Sequence, residues 1–189
     1  MADCPPDYER LFRSILTELG EDPDREGLQR TPARVLETWR FLTRGQREDL
    51  SDVSDGGLFE EDSGGLVLLR RMEFVSLCEH HMLPFLGHVH VGYVPDGRVL
   101  GLSKIARVVD HFACRLQLQE RMTREIADCL VDVLKPRGLG VVVKANHLCM
   151  TIRSQRKQDS DVVTSVWRGT FESDPRARED FLRSLDLAS

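Results

Sequence analysis

Residues 88–112 read HVHVGYVPDGRVLGLSKIARVVDHF, and the spacing of the apolar residues changes within this stretch. From Val89 to Tyr93 every second residue is apolar, which is the period of a half-buried strand. Pro95-Asp96-Gly97 is a turn signal. Beyond the turn, apolar residues recur at helical spacing from Ile105 to Phe112, and we predict a helix that Ser103 caps. The stretch therefore predicts a strand, a turn and a helix.

The segments on either side extend this pattern to a complete sheet. A β-rich run precedes it at residues 66–77, and a second helical pattern follows it as far as Pro136. Two further apolar runs, at residues 140–150 and 162–171, are predicted to be strands. The order β-β-α-α-β-β predicts an α+β fold in which a four-stranded antiparallel sheet carries two helices on one face. Such a small sheet has open edges, so we expect it to pair with other subunits.

The first part of the chain differs from the rest in its pattern. Residues 7–19 carry a helical apolar stripe, and a second helix is predicted to open with Thr31 as its N-cap. Residues 46–65 are acidic and contain paired glycines, which is typical of a surface linker. We therefore predict an N-terminal helical segment and linker at residues 1–65, followed by the main domain at residues 66–189.

The composition of the 189-residue chain is that of a globular protein, with 41% hydrophobic and 30% charged residues. Lys and Arg number 26 against 31 Asp and Glu, and this net charge of −5 argues against nonspecific binding to nucleic acid. No apolar stretch reaches the about 18 residues of a membrane helix, and no secretory leader is recognisable. We therefore expect a cytoplasmic protein with no nucleic-acid or membrane partner. The five cysteines, an odd number, do not suggest a disulfide framework.

Cysteine and histidine occur together at two separated places. The first is Cys78-Glu79-His80-His81 at a predicted strand end, and the second is His147-x-Cys149 within a predicted strand. Because residues i and i+2 of a strand face the same side, His147 and Cys149 are expected to point into one site. Sulfur and imidazole are the ligands that zinc prefers. The candidate metal ligands are therefore the cysteines and histidines of both places: Cys78, His80, His81, His147 and Cys149. The alternative is that the cysteines are small buried residues and the histidines are surface groups.

Two further groups could bind a substrate. Ser103, Lys104 and Arg107 lie at a predicted helix N-terminus, where backbone N–H groups and cations favour an anion, and Arg153 is a further cation near Cys149. The alternative is ordinary capping of the helix, with the charged side chains exposed to solvent. The pair Gln119-Glu120 could accept hydrogen bonds from a base edge or could cap the second helix. His111 is expected to be solvated.

Several longer motifs together resemble the GTP cyclohydrolase I family. In chain order they are residues 20–28, 31–34, 76–85, 101–107, 119–121, 147–150 and 164–165. The resemblance implies a tunnelling fold, in which β-β-α-α-β-β subunits join their sheets into a barrel. It also implies a homodecamer of two stacked pentameric rings, with active sites at the subunit interfaces.

The resemblance further implies a role for each candidate residue. The implied ligands of Zn²⁺ are Cys78, His81 and Cys149, and the implied catalytic residues are His80 and His147. Glu120, with Gln119 beside it, is implied to recognise guanine. The implied triphosphate-binding residues are Ser103, Lys104, Arg107 and Arg153.

The reaction that the resemblance implies is the zinc-dependent hydrolysis and ring rearrangement of GTP. Its products are 7,8-dihydroneopterin triphosphate and formate, and it is the first step of folate and pterin biosynthesis. Two alternatives stay open from the sequence: a noncatalytic zinc module, and a relative that opens the ring without completing the rearrangement.

Overall fold

The computed structural model describes residues 5–51, 56–61, 64–152 and 160–186. The chain divides into two compact units, Met1–Thr43 and Arg44–Ser189. The predicted domain boundary after residue 65 stays a prediction. Within the parts of the chain that the structure describes, no helix is both long enough and apolar enough to cross a membrane.

The first unit contains helices α1 (Pro6–Glu18) and α2 (Thr31–Leu42). The apolar stripe of α1 buries Phe12 and Leu16, and the Phe12 ring meets the Trp39 ring of α2 edge-on at 5.8 Å. The prediction that Thr31 is the N-cap is wrong, because Thr31 already has helical geometry and Arg30 occupies the cap position.

The second unit is built on a sheet of five strands in the order β5-β2-β3-β6-β7. The four long strands pair antiparallel, as predicted. They are β2 (Val67–Cys78), β3 (Pro84–Val94), β6 (Gly138–His147) and β7 (Val162–Gly169). The fifth strand, β5 (Leu116–Gln117), was not predicted; it pairs parallel with the last two residues of β2.

Two helices and the sheet enclose the core, so the predicted α+β class is confirmed. The helices are α3 (Leu102–Ala113) and α4 (Gln119–Leu134). Val89, Val91 and Tyr93 of β3 are fully buried in the same cluster as apolar residues of both helices, which confirms the period of two. Ser103 lies within the first turn of α3 and Gly101 is the N-cap, so the predicted capping role of Ser103 is wrong.

His111 is buried, with 7% of its surface exposed, so the prediction that it is solvated is also wrong. A helical stripe that contains Val108 also brings His111 toward the interior, because residues three apart lie on one face of a helix. Its Nε2 lies beside the guanidinium of Arg115.

The segment predicted as a surface linker contains a short strand, β1 (Leu58–Glu60). It pairs antiparallel with β4 (Arg98–Leu100) in a separate two-stranded sheet. Three residues are too few to produce a recognisable alternation, so the sequence pattern could not reveal this pair. The chain continues after β6 with α5 (Leu148–Thr151) and after β7 with α6 (Thr170–Ser173) and α7 (Pro175–Asp186).

Candidate active site

Three potential metal ligands meet at one end of the sheet. Cys78 is the last residue of β2, His81 lies in the turn that follows, and Cys149 lies in α5. The ligand atoms of these residues are all within 4.8 Å of one another, and the Cys78 Sγ and His81 Nδ1 atoms are 3.8 Å apart. Both cysteines are buried, whereas His81 is exposed. The site therefore has an apolar inner side and an open outer side.

Strand register brings the three ligands together. Leu77 of β2 faces Pro84 of β3, and Phe85 of β3 faces His147 of β6, so the end of β2 and the end of β6 lie on either side of the start of β3. The turn after Cys78 is closed by a 2.9 Å bond from the Cys78 N–H to the Leu83 carbonyl oxygen. This short turn keeps His81 next to the residue that ends β2.

Cys149 reaches the site by a different route from the one predicted. The strand ends at His147 instead of continuing to residue 150, and Cys149 belongs to the helical turn that follows. The prediction that His147 and Cys149 share one strand face is therefore wrong in its geometry. Their short sequence separation still keeps both residues at the same end of the sheet.

The donor set fits a metal ion with three protein ligands. Two cysteine sulfurs and one imidazole nitrogen are soft ligands of the kind that zinc prefers. Ligand atoms at zinc–sulfur and zinc–nitrogen distances in a tetrahedron lie about 3.3–3.8 Å apart, which matches the Cys78–His81 separation. His80 is not part of the three-residue group, although its Nδ1 atom is 3.7 Å from Cys78 Sγ.

His147 is held against the protein on two sides. Its ring stacks on Phe85 with a centroid distance of 4.5 Å and an interplanar angle of 4°. Its Nε2 atom is 2.8 Å from the Oε1 atom of Gln119, whose side chain is 1% exposed. Burial lowers the pKa of His147, while the nearby Glu120 carboxylate acts in the opposite direction. The imidazole is therefore biased toward its neutral form.

Glu79 and Arg121 form an ion pair that the sequence analysis did not predict. Arg121 donates from Nη2 to the Glu79 carboxylate and from Nε to Gln117 Oε1 at 2.9 Å. Gln117, which is 2% exposed, donates in turn to Glu125 at 2.7 Å. These bonds connect the turn that carries His81 to the start of α4. No periodicity could have revealed a pair whose members are separated by 42 positions.

The described residues that are implied to bind guanine and triphosphate lie on the two long helices. Glu120 is exposed in the first turn of α4, next to the buried Gln119. Ser103, Lys104 and Arg107 lie in the first two turns of α3, where the helix N-terminus adds positive potential. Arg153 lies outside the described residues. The positions on α3 and α4 are on elements other than those that supply the three potential metal ligands.

Comparisons with known proteins agree with the resemblance in the motifs. The family model for GTP cyclohydrolase I matches residues 8–186 of this chain. GTP cyclohydrolase 1 of Alkalilimnicola ehrlichii is 51% identical over 94% of this chain and 96% of its own length. GTP cyclohydrolase 1 of Leptospira biflexa is 50% identical over 96% of this chain and 99% of its own length.

A weaker likeness is to the crystal structure of the archaeosine synthase QueF-Like in the apo form. Its TM-score is 0.47, with 23% identity over 57% of this chain and 97% of the other. The family assignment depends on the family model and the two relatives, which match nearly the whole chain. On these grounds the chain belongs to the GTP cyclohydrolase I family.

Proposed function

We propose that this protein converts GTP to 7,8-dihydroneopterin triphosphate and formate in a zinc-dependent reaction, the first step of folate and pterin biosynthesis. The observation that carries the proposal is the group of Cys78, His81 and Cys149, whose ligand atoms lie within 4.8 Å of one another. His147 lies two residues from Cys149, in a chain that belongs to the GTP cyclohydrolase I family. A histidine held beside a three-ligand metal site suits hydrolysis of a ring.

Cys78, His81 and Cys149 are the proposed ligands of Zn²⁺. Three protein ligands leave a coordination position open, as catalytic zinc sites require. The metal would supply a Lewis acid that activates a water molecule for attack on C8 of guanine. The two buried cysteines support this assignment, because thiolates away from solvent favour a soft metal over a hard one.

His147 and His80 are the proposed proton-transfer residues. His147 donates a proton to a ring nitrogen of guanine as the imidazole ring opens, and its fixed orientation on Phe85 supports this role. His80 is exposed on the turn that carries His81, and it moves protons during the later opening of the ribose. Burial lowers the pKa of His147, which makes its protonated ring a stronger acid toward the substrate.

Glu120 is the proposed guanine-recognition residue. Guanine presents an N–H and an amino group side by side, and one carboxylate can accept a hydrogen bond from each. Adenine lacks this pair of donors and would leave the carboxylate without partners, which is costly in a closed site. The triphosphate would bind Ser103, Lys104 and Arg107 at the N-terminus of α3, together with Arg153.

We propose further that residues 66–189 form a catalytic tunnelling-fold domain after the N-terminal helical segment and linker. Ten copies would assemble as two stacked pentameric rings in the cytoplasm, with active sites at the subunit interfaces. The outer strands of the five-stranded sheet, β5 and β7, support an assembly through the sheet edges. GTP is the proposed partner, with no nucleic acid and no membrane.

The test is incubation of the purified protein with GTP, with formate and a fluorescent oxidised pterin as separate readouts. Equal amounts of both products support the full reaction, and ATP in place of GTP is the matched control. Formate without the pterin would indicate ring opening alone and would overturn the proposed rearrangement. Absence of both products from metal-loaded protein would overturn the proposal in favour of a noncatalytic zinc module.

A further inference from the structure

We propose that Gln119 is a positioning residue that holds the His147 ring with its proton on Nε2, so that Nδ1 is the nitrogen that exchanges a proton with the substrate. This inference rests on the proposed proton-transfer role of His147. It assigns Gln119 to the histidine and not to the guanine base. The hydrogen-bond partners of Gln119 and His147 determine this proton position.

The orientation of the Gln119 side-chain amide is determined by two backbone carbonyl groups. Its Nε2 atom lies 3.0 Å from the Val162 oxygen of β7 and 3.2 Å from the Val143 oxygen of β6. Carbonyl oxygens only accept hydrogen bonds, so the amide nitrogen must face them. The amide oxygen Oε1 then faces the opposite direction, toward His147.

The contacts of Thr123 and Thr164 determine where the remaining hydrogens of this network lie. Thr123 donates its hydroxyl hydrogen to the Gln119 backbone oxygen at 2.7 Å, because that oxygen only accepts. Its contact with Thr164 at 2.7 Å must therefore use the hydrogen of Thr164. The Thr164 oxygen then accepts from Gln119 Nε2 at 3.1 Å, so the two amide hydrogens are shared among three acceptors, the Thr164 hydroxyl and the two carbonyl oxygens. A flipped amide would bring Oε1 against two carbonyl oxygens, so the network allows one orientation.

The hydrogen-bond partner of His147 determines which of its ring nitrogens carries a hydrogen. Oε1 of Gln119 only accepts, and it is 2.8 Å from Nε2 of His147, so that nitrogen must donate. A 180° flip of the ring would replace Nε2 by a carbon and lose the bond. The parallel stacking on Phe85 favours the observed ring plane. His147 therefore has Nε2–H in its neutral form.

The other nitrogen is then the one available for chemistry. Among the described residues, Nδ1 of His147 has no hydrogen-bond partner. When the ring carries both protons, Nδ1–H transfers its proton to a ring nitrogen of the substrate. The ring is left neutral, with Nε2–H still bonded to Gln119, and a proton from water restores it.

Gln119 is also poorly placed to contact a substrate. Its side chain is 1% exposed, and both its amide nitrogen and its amide oxygen already have protein partners. Binding guanine would require it to leave buried carbonyl groups unpaired, which is unfavourable. Its influence on turnover is therefore expected to pass through His147.

Two substitutions of Gln119 separate positioning from substrate binding. Gln119→Met has a similar length but cannot form hydrogen bonds, whereas Gln119→Glu in its protonated form keeps both a hydrogen for a strand carbonyl oxygen and an acceptor facing His147. We expect Gln119→Met to lower kcat at least about tenfold, within the ~10²–10⁴-fold that acid–base catalysis contributes, without a change in KM for GTP. Gln119→Glu should keep more of kcat than Gln119→Met. An increase in KM with unchanged kcat would overturn the proposal.

A double variant tests whether Gln119 acts through His147. In a His147→Ala background, Gln119→Met should change the residual kcat by less than about twofold, because residues that act as one unit are not additive. Full additivity of the two losses would contradict the proposal. Metal content and oligomer mass equal to those of the parent protein are the folding controls.

The tautomer of His147 provides a readout that does not depend on activity. In protein labelled with ¹⁵N-histidine, nitrogen chemical shifts at about pH 8, where the ring is neutral, distinguish protonated from unprotonated nitrogens. The His147 signals are those missing from His147→Ala. We expect a protonated Nε2 and a bare Nδ1 in the parent protein, and a mixture in Gln119→Met. A protonated Nδ1 in the parent would overturn the inference even if GTP is converted, whereas failure of GTP conversion would overturn only the proposed function.

Discussion

Arg121 of α4 donates a hydrogen bond to Glu79, and this contact ties the turn that carries His81 to the helix that carries Glu120. The two side chains are each about one-third exposed. The backbone strengthens the link, because the Glu79 N–H donates to the Gln117 carbonyl oxygen at 3.1 Å. The turn that carries His81 and the helix that carries Glu120 are therefore held in a fixed position relative to each other.

Loss of the Glu79 charge should weaken metal binding. We expect Glu79→Gln to lower the metal affinity by up to about tenfold, the lower end of the ~10–100-fold that loss of a ligand's own hydrogen-bond partner costs, because Glu79 acts on the turn through Arg121. Competition against a chelator measures this change. Asp128→Asn, which breaks the 2.8 Å ion pair between Asp128 and Arg168, is the matched control and should leave the affinity unchanged. Equal affinities in all three proteins would contradict the prediction.

Removal of the Cys149 sulfur should release the metal. The reason is that Cys149 is one of the three potential ligands found among the described residues, so two of them would remain. Elemental analysis of Cys149→Ala should find far less than one metal per chain. Cys129→Ala, at a half-buried position on α4, is the control and should retain the metal. Full metal retention in Cys149→Ala would show that the site is built from other residues.

His147→Ala should keep its metal, its oligomer and its affinity for GTP, yet lose turnover by about 10²–10⁴-fold. The residue lies two positions from Cys149 and is not one of the three potential ligands, so binding and chemistry should separate. Calorimetry with GTP and formate release measure the two properties. If the variant loses its metal, His147 is a ligand, which would favour the interpretation as a noncatalytic zinc module. If the variant converts GTP at the parental rate, another group is the acid.

The stability of the protein should depend on His111 in mildly acidic solution. Burial, followed by the neighbouring Arg115 charge, lowers the pKa of His111 in the folded protein. The unfolded chain therefore binds a proton near pH ~6.5 that the folded chain resists, and the free energy of unfolding falls as the pH drops below that value.

The measurement is the urea midpoint as a function of pH in the parent protein and in His111→Gln, which keeps an acceptor for Arg115. We expect the midpoint of the parent to fall more steeply between about pH 7 and pH 5, because its free energy of unfolding loses up to ~1.4 kcal/mol per pH unit through this one group. Parallel curves for the two proteins would refute this role of His111.

The sheet edge should carry the assembly. Val163 on the outer strand β7 is 59% exposed, and an exposed apolar edge is expected to be covered by another subunit. Light scattering should give a mass several times 21.5 kDa for the parent protein and a lower mass for Val163→Lys. A parent mass near 21.5 kDa at micromolar concentration would rule out the proposed ring.

Much of the fold could be predicted from local sequence. The period of two at Val89, Val91 and Tyr93 predicts which residues of β3 are buried, because alternate side chains of a strand face opposite sides. The same local rule failed at residue 150, since periodicity does not determine where a strand gives way to a helical turn. At His111 the helical spacing from Val108 did place the side chain on the inner face, and the prediction of a solvated residue was wrong because it did not follow that spacing.

The sequence by itself determined the order of the four long strands and the two central helices, the chemical types at the candidate site and the family to which the chain belongs. The tertiary structure alone decided which of those residues meet. Strand register sets Phe85 opposite His147, and the pairs Glu79–Arg121 and Gln119–His147 join residues 42 and 28 positions apart. Periodicity reports only whether a side chain faces the core, whereas contacts between distant residues depend on how the strands and helices pack in three dimensions.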